Sequence, residues 1–333
     1  MKTYSKLILL TLLPIVWIAA AQATENKMTE IKKESRFVIT IIDTGIDLKN
    51  ETLKKQLCLN AGETGLDKNG NDKSMNGVDD DGNGYADDLH GWSFFDESKN
   101  LQDHHGHGTH IAGIVYEDLK QLKLEAEFCF RILKYYDSDE PANNLLKASN
   151  DSFRYALENG AGLINYSGGG YTYNKDEIRL IQKLADKNVP VVAAMGNQKL
   201  NTDEMPFFPA SYNLENIFAI AAADANQAMA NFSNFGKKRL DFLAPGVLVK
   251  SFGLNNSKTF LSGTSQATAK VSALIAYLMY QEKGKTSWPE LKKNVKNLRA
   301  FYLAKKQKGN PLFVDTAFVQ KFKTSAVDAF GEP

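Results

Sequence analysis

The sequence predicts an α/β fold, a mostly parallel central sheet with helices on both faces. Three observations predict it. Short apolar, β-rich runs recur at 37–42, 130–135, 162–166, 189–194, 217–222 and 240–243. Segments with helical spacing lie among them at 109–119, 143–157, 175–186, 265–281 and 289–301. Most of the apolar runs are nearly continuous rather than alternating, as strands buried on both faces require. Strands alternating with helices in this way are the pattern of an α/β sheet.

Taken in order, the chain opens with Lys2 and Lys6 ahead of an apolar run at 7–20, closed by Ala21-Gln22-Ala23. A basic start, a short apolar stretch and an A-x-A site make residues 1–23 an expected signal peptide. The alternative is an uncleaved anchor, for which the run is short against the ~20 residues of a bilayer span. Residues 24–36 are expected to be a short segment, too brief for a folded pro-domain. One large domain is expected over 37–304, with a tail at 305–333 packed on it. The first strand ends in Asp43-Thr44-Gly45, and the Gly-, Asn- and Asp-rich stretch 60–88 reads as a long loop. The helix near 109 opens with His107-Gly108-Thr109-His110. The strand at 162–166 runs into Ser167-Gly168-Gly169-Gly170, and that at 189–194 into Met195-Gly196-Asn197. Ser265 opens a long helix of small residues, and Ser287-Trp288-Pro289-Glu290 caps the last helix with a Pro near its first position. In open α/β sheets, ligands bind outside the carboxyl ends of the strands, so the residues following each run are where chemistry is expected.

Composition limits the function classes. Of 333 residues, 43% are hydrophobic and 24% charged, enough for a sizeable buried core, and the net charge of +1 gives no bulk attraction to nucleic acid or anionic membrane. Two cysteines exclude a dense disulfide scaffold. With export, Cys58 and Cys129 either form one disulfide or stay as two thiols, because sequence gives no distance between them. No 20–50-residue repeat is present.

All 5 histidines lie between positions 90 and 110, so any imidazole base is one of them. They lack the Cys partners or HExxH spacing of a zinc site, which leaves zinc as the lesser alternative. Three segments taken together, Ile41-Ile42-Asp43-Thr44-Gly45, His107-Gly108-Thr109-His110-Ile111-Ala112-Gly113 and Ser262-Gly263-Thr264-Ser265-Gln266-Ala267-Thr268-Ala269, resemble the subtilisin-like serine proteases, or subtilases. That family carries its triad in the order Asp, His, Ser. The resemblance extends from about residue 37 to 277. The stretches from Leu163 to Gly170, from Val191 to Asn197, from Phe232 to Gly236 and from Asp241 to Gly246 fit it as well.

The resemblance implies a subtilisin-like fold and an exported, periplasmic or secreted serine endopeptidase acting on polypeptides as a monomer. Neither nucleic acid nor a stable membrane association is expected after signal cleavage. It implies Asp43 as orienting acid, His107 as base, Ser265 as nucleophile and Asn197 as oxyanion donor. Ser167, Gly168, Gly169 and Gly170 become the strand along which substrate lies. These residue types suit the roles: a serine hydroxyl needs a base to take its proton, and imidazole titrates near pH 6.5. A catalytically weak peptide-binding protein of the same fold is the alternative. Met195 and Tyr171 either border the specificity pocket or simply pack. Two positions depart from the family's G-T-S-M-A-[ST]-P pattern: Gln266 replaces Met and Ala269 replaces Pro.

The run from Asp79 to Asp88 is dense in oxygen ligands. Read from Asp79 it matches the opening of a calcium loop, with Asp79, Asp81, Asn83, Tyr85 and Asp87 as the expected Ca²⁺ ligands. Position 12 of that frame is His90 rather than Glu, so it is no EF-hand, and a solvated acidic loop is the alternative. The segment Asp67-Lys68-Asn69-Gly70-Asn71-Asp72 is a weaker second candidate. Nine residues after the acid, where many subtilases place a calcium aspartate, stands Thr52.

Overall fold

The computed structural model describes residues 36–137, 145–283 and 286–303. The expected leader, the segment after it up to residue 35 and the tail at 305–333 fall outside the described residues.

Seven of the apolar or short runs become strands: β1 (Phe37–Asp43), β2 (Gly91–Ser93), β3 (Phe128–Lys134), β4 (Leu163–Tyr166), β5 (Val191–Ala194), β6 (Ile217–Ala223) and β7 (Phe242–Pro245). They lie in the order β2-β3-β1-β4-β5-β6-β7, and every pairing is parallel. The helices are a single turn α1 (Glu51–Lys54), then α2 (His107–Gln121), α3 (Leu145–Glu158), α4 (Lys175–Asp186), α5 (Thr264–Gln281) and α6 (Trp288–Leu303).

The continuous apolar runs follow from burial on both faces. On one face Ile39, Ile41, Phe130 and Ile132 pack with Ile111 and Val115 of α2, Leu274 of α5 and Leu291 of α6. On the other, Ile42, Leu133 and Ile164 meet Phe153 of α3 and Ile181 of α4. This is the expected α/β architecture. Parallel strands all end at the same edge, so the residues after β1, β4 and β5 are delivered to one place.

Differences from the sequence reading have local causes. The last strand sits two residues later than expected and ends on Pro245. β7 is an edge strand, where a residue without an N–H is tolerated. Three short strands were not anticipated. β2 spans three residues at the opposite edge, and β8 (Val249–Phe252) pairs antiparallel with β9 (Lys258–Leu261). The latter two are half exposed and mixed in composition, which hides them from a hydrophobic pattern. Cys58 and Cys129 are joined, with S–S 2.09 Å and Cα–Cα 4.9 Å. The segment 60–88 is a loop as expected, held by two 3₁₀ turns, Ala61–Glu63 and Lys73–Met75. Among the described residues no helix is long and apolar enough to cross a membrane.

Candidate active site

β1 ends in Asp43, and the chain turns at once through Thr44 and Gly45. Gly45 has φ 105°, and a Cβ there would stand 2.5 Å from the Leu101 carbonyl oxygen, so the turn needs glycine. α2 comes down on this turn: a Cβ on Gly108 would overlap the Gly45 carbonyl. The Gly108 N–H donates to Thr44 Oγ1 at 2.8 Å, and Thr44 Oγ1 donates to Asp103 at 3.0 Å. Asp103, which is buried, also accepts from the N–H groups of His105, Gly106 and Thr109 and from Thr109 Oγ1. One carboxylate thus joins the start of α2 to the end of β1, and His107, first residue of the helix, lands beside Asp43.

His107 Nδ1 donates to Asp43 Oδ1 at 2.7 Å. A carboxylate can only accept, so Nδ1 carries the proton and Nε2 is left with its lone pair. Burial works against the charged imidazolium, but attraction to Asp43, the hydrogen bond to it and the more distant Asp103 together carry the His107 pKa above 6.5. His110 takes the other course. It is fully buried, its Nε2 lies 3.1 Å from the Val249 carbonyl oxygen, and burial pushes it down to about 4. The first histidine of the motif is therefore placed to exchange protons and the second to stay neutral.

Ile42 pairs with Tyr166 across β1 and β4, so Asp43 and Ser167 follow side by side. Ser265, second residue of α5, reaches the same edge. Its hydroxyl donates to the Ser167 carbonyl at 2.9 Å, and Ser167 Oγ donates back to the Ser265 carbonyl at 3.2 Å. The structure thus joins Asp43 to His107 directly, while the Ser265 hydroxyl is turned toward Ser167 rather than toward the imidazole.

After β5 the chain turns at Gly196, φ 95°, and presents Asn197. Asn197 Oδ1 accepts from the Thr264 N–H at 2.8 Å and from Thr264 Oγ1 at 3.0 Å. A backbone N–H can only donate, so the amide orientation is fixed, with Oδ1 on Thr264 and Nδ2 free of it. A cleft of about 260 Å³ is lined by Ser167, Gly168, Gly169, Gly196, Asn197, Thr264 and Ser265, together with Tyr135, Tyr136, Leu145 and Phe207. Gly170 differs from its neighbours in the expected substrate strand. Its N–H and carbonyl are both paired with Phe208, at 2.9 and 2.7 Å, which sets it apart from the rest of that segment. Met195 is fully buried in the core, and Tyr171 is exposed with its hydroxyl on Gln198. Phe207 was not singled out from the sequence; a phenylalanine between a proline and a second phenylalanine gives no signal there.

Of the expected calcium ligands, Asp79 and Asp81 meet at the Asn83 N–H, while Tyr85 and Asp87 are engaged elsewhere. Asp79 accepts from the N–H groups of Gly82, Asn83 and Gly84 and so caps its own turn. Burial opposes its charge, but those N–H groups hold its pKa below the usual carboxylate value. Asp87 accepts from the Gly77 N–H and pairs with Lys99 at 2.7 Å. Tyr85 packs its ring against Trp92, Phe94 and Tyr155. Asn83 donates to Asp88, and Asp81 accepts from Asn60. Carboxylate oxygens of Glu63, Asp81 and Asp88 instead lie within 4.8 Å of one another. Glu63 and Asp88 are fully buried, and Glu63 Oε2 has no hydrogen-bond partner. Burial, together with the neighbouring carboxylates, raises the pKa of both. An unmatched buried oxygen among hard donors fits a calcium-type cation.

The comparisons agree with this geometry. A model of the subtilase family matches residues 34–319. A thermophilic serine proteinase from Bacillus sp. (strain AK1) is 34% identical over 195 residues, 58% of this chain and 47% of its own length. Thermitase from Thermoactinomyces vulgaris is 33% identical over 193 residues, covering 57% of this chain and 67% of thermitase. The chain thus spans about half the length of the first of these relatives. The crystal structure of a cold adapted subtilisin-like serine proteinase superposes with a TM-score of 0.59 at 20% identity, covering 80% of this chain and 83% of that one, and so supports the shared fold.

Proposed function

The chain belongs to the subtilase family, and from that premise we propose that it is an exported serine endopeptidase working through Asp43, His107 and Ser265. The hydrogen bond from His107 Nδ1 to Asp43 at 2.7 Å, made at the sheet edge that Ser265 also reaches, carries the reading.

Asp43 holds the tautomer that leaves Nε2 basic and stabilises the imidazolium once it forms. In this reading the Ser265 hydroxyl leaves the Ser167 carbonyl for Nε2 when substrate binds. As Oγ attacks the peptide carbonyl, its proton passes to His107. The oxyanion is met by Asn197 Nδ2 and by the Ser265 N–H at the start of α5, where the helix dipole is positive. His107 then returns the proton to the leaving amine, giving an acyl-enzyme that water hydrolyses by the reverse steps. Substrate lies along Ser167 to Gly169 as an added strand, bonded through its main chain. The Cys58–Cys129 bond supports an oxidising, exported setting. Periplasm and medium are equally compatible with it. As for organisation, we read 37–304 as one catalytic domain.

For calcium, Glu63, Asp81 and Asp88 are the residues that would hold the ion. Bound, it would supply charge neutralisation that fixes the loop on the sheet edge and would take no part in the chemistry.

The serine hydroxyl's bond to Ser167 favours a second reading, a peptide-binding subtilase fold with little turnover. A fluorophosphonate probe decides. Labelling of the whole chain at Ser265, lost in Ser265→Ala, with cleavage of peptides as well as esters, is expected. Folded, calcium-loaded protein that takes no label would favour the binder.

A further inference from the structure

We infer that Phe207 closes the floor of the cleft beside Ser265, so that this chain cleaves after residues with small side chains: glycine, alanine or serine. The inference rests on hydrolysis at Ser265 and adds the substrate class.

A peptide whose carbonyl carbon faces Ser265 and whose oxygen faces Asn197 is pinned on two sides. Running beside Ser167 to Gly169, it directs the side chain of the attacked residue into the gap between that segment and the one from Ala194 to Gly196. Both segments line the cleft, and so does Phe207. The Phe207 ring spans the gap. A Cβ on Gly169 would overlap its Cε1, and a Cβ on Gly196 would stand 3.3 Å from its Cδ2. The ring therefore lies against two bare backbones and occupies the space a long substrate side chain would need. It is also held in place. The Phe207 N–H donates to Ser211 Oγ at 3.0 Å, and the Ser211 N–H returns to the Phe207 carbonyl at 2.9 Å. Tyr171 meets the ring edge-on at 5.2 Å between centroids, and Phe207 is only 7% exposed. Tyr135, Tyr136 and the partly exposed Leu145 also line the cleft.

Purified full-length chain is assayed against quenched peptides differing only in the residue before the cleaved bond. Each missing or excess carbon group in a pocket is worth roughly 10- to 200-fold in discrimination. The expected result is kcat/KM at least about tenfold higher for alanine than for leucine or phenylalanine. Phe207→Ala is expected to move that ratio about tenfold or more toward leucine and phenylalanine. Phe207→Leu, which keeps more packing, is expected to move it part of the way. A wild type that prefers phenylalanine, or variants with an unchanged ratio, would overturn the inference. Fluorophosphonate labelling separates the two levels. Wild type labelled at Ser265 with a preference for large residues sinks this inference alone, whereas unlabelled wild type sinks the hydrolase reading and this inference with it. Where neither variant labels, the wild-type profile decides.

Discussion

At the carboxyl edge of the sheet, Asp43 and Asp103 are buried, and donors from within the chain answer them: the His107 imidazole, the Thr44 hydroxyl, and the N–H groups at the start of α2. In the loop at 60–88, Glu63 and Asp88 are buried as deeply, yet Glu63 Oε2 has no partner and the nearest groups include each other and Asp81. Asn60, Asn83 and the Tyr155 hydroxyl donate to Asp88, and the Asp80 N–H donates to Glu63 Oε1, none of them supplying positive charge. A buried carboxylate costs several kcal/mol unless it is paired or neutralised. The first region meets that cost with its own hydrogen bonds, which also hold the His107 imidazole against Asp43. The second has neutral donors alone, and the pKa of both its buried acids is raised, so they hold charge less readily.

Removing the relay is expected to cost most. Ser265→Ala or His107→Ala should lower kcat by about 10⁴ to 10⁶, and either alone should cost nearly as much as both, because the groups act as a unit. The same charge-removing change in the loop, Asp81→Asn, should leave kcat within about twofold at low temperature, since a residue outside the relay changes no barrier. An Asp81→Asn variant that lost activity as His107→Ala does, while still folded, would break the contrast. The pH profile sharpens it. Neutral imidazole is the base, and its pKa is raised, so activity should rise through an inflection above pH 6.5. Asp43→Asn removes the negative neighbour and should move that inflection down.

Asn197→Ala comes next. Losing one preorganised oxyanion donor should lower kcat about 10²- to 10³-fold, or about 3–4 kcal/mol, with little change in KM. A rise in KM alone would place Asn197 in substrate binding instead.

The loop side of the comparison is read by melting. With calcium at ~1,000 times its Kd, a site present only in the folded state adds about 4 kcal/mol, a shift of several degrees that EDTA reverses. Glu63→Gln should abolish the shift, whereas Asp79→Asn should leave most of it, because Asp79 is spent on its own turn. The opposite pattern would restore the sequence-based ligand set and remove the distinction drawn between the two regions.

That ligand set shows where the sequence stops being legible. Asp43, His107, Ser265 and Asn197 were expected from family-like segments, each at the junction of a strong hydrophobic run and a turn or helix start, and the structure brings His107 to Asp43. The parallel sheet was legible from those runs. Glu63 was not. It is one acid after Asn60-Ala61-Gly62, far along the chain from Asp81 and Asp88, and it joins them only through the turn that Asn60 caps. Within the acidic run, backbone N–H groups bond Asp79 and Lys99 pairs with Asp87, partners that composition does not reveal. Phe207 was invisible because its role comes from the two glycines it faces, not from its neighbours in sequence. Whether Cys58 met Cys129 depended on a distance that only β3 and the segment before it could set.

Glu177 handles its burial in a third way, by keeping its proton, and gives the smallest effect. It lies in the first turn of α4, 3% exposed, and its Oε2 accepts from the Tyr212 hydroxyl at 2.6 Å. Burial pushes its pKa up to about 7, against the pull of that hydrogen bond. The unfolded chain releases this proton near pH 4.5, so between that pH and about 7 the folded state binds more protons than the unfolded one. Stability contributed at this position should therefore fall as pH rises through the window, by at most about 3 kcal/mol at 1.4 kcal/mol per pKa unit. Glu177→Gln keeps an acceptor for Tyr212 and cannot ionise. Urea unfolding at pH 5 and pH 7.5 should show the variant losing less stability than the wild type across that interval. Equal losses would mean that Glu177 is charged and paired in the folded protein, and would put it with Asp43 rather than apart from both regions.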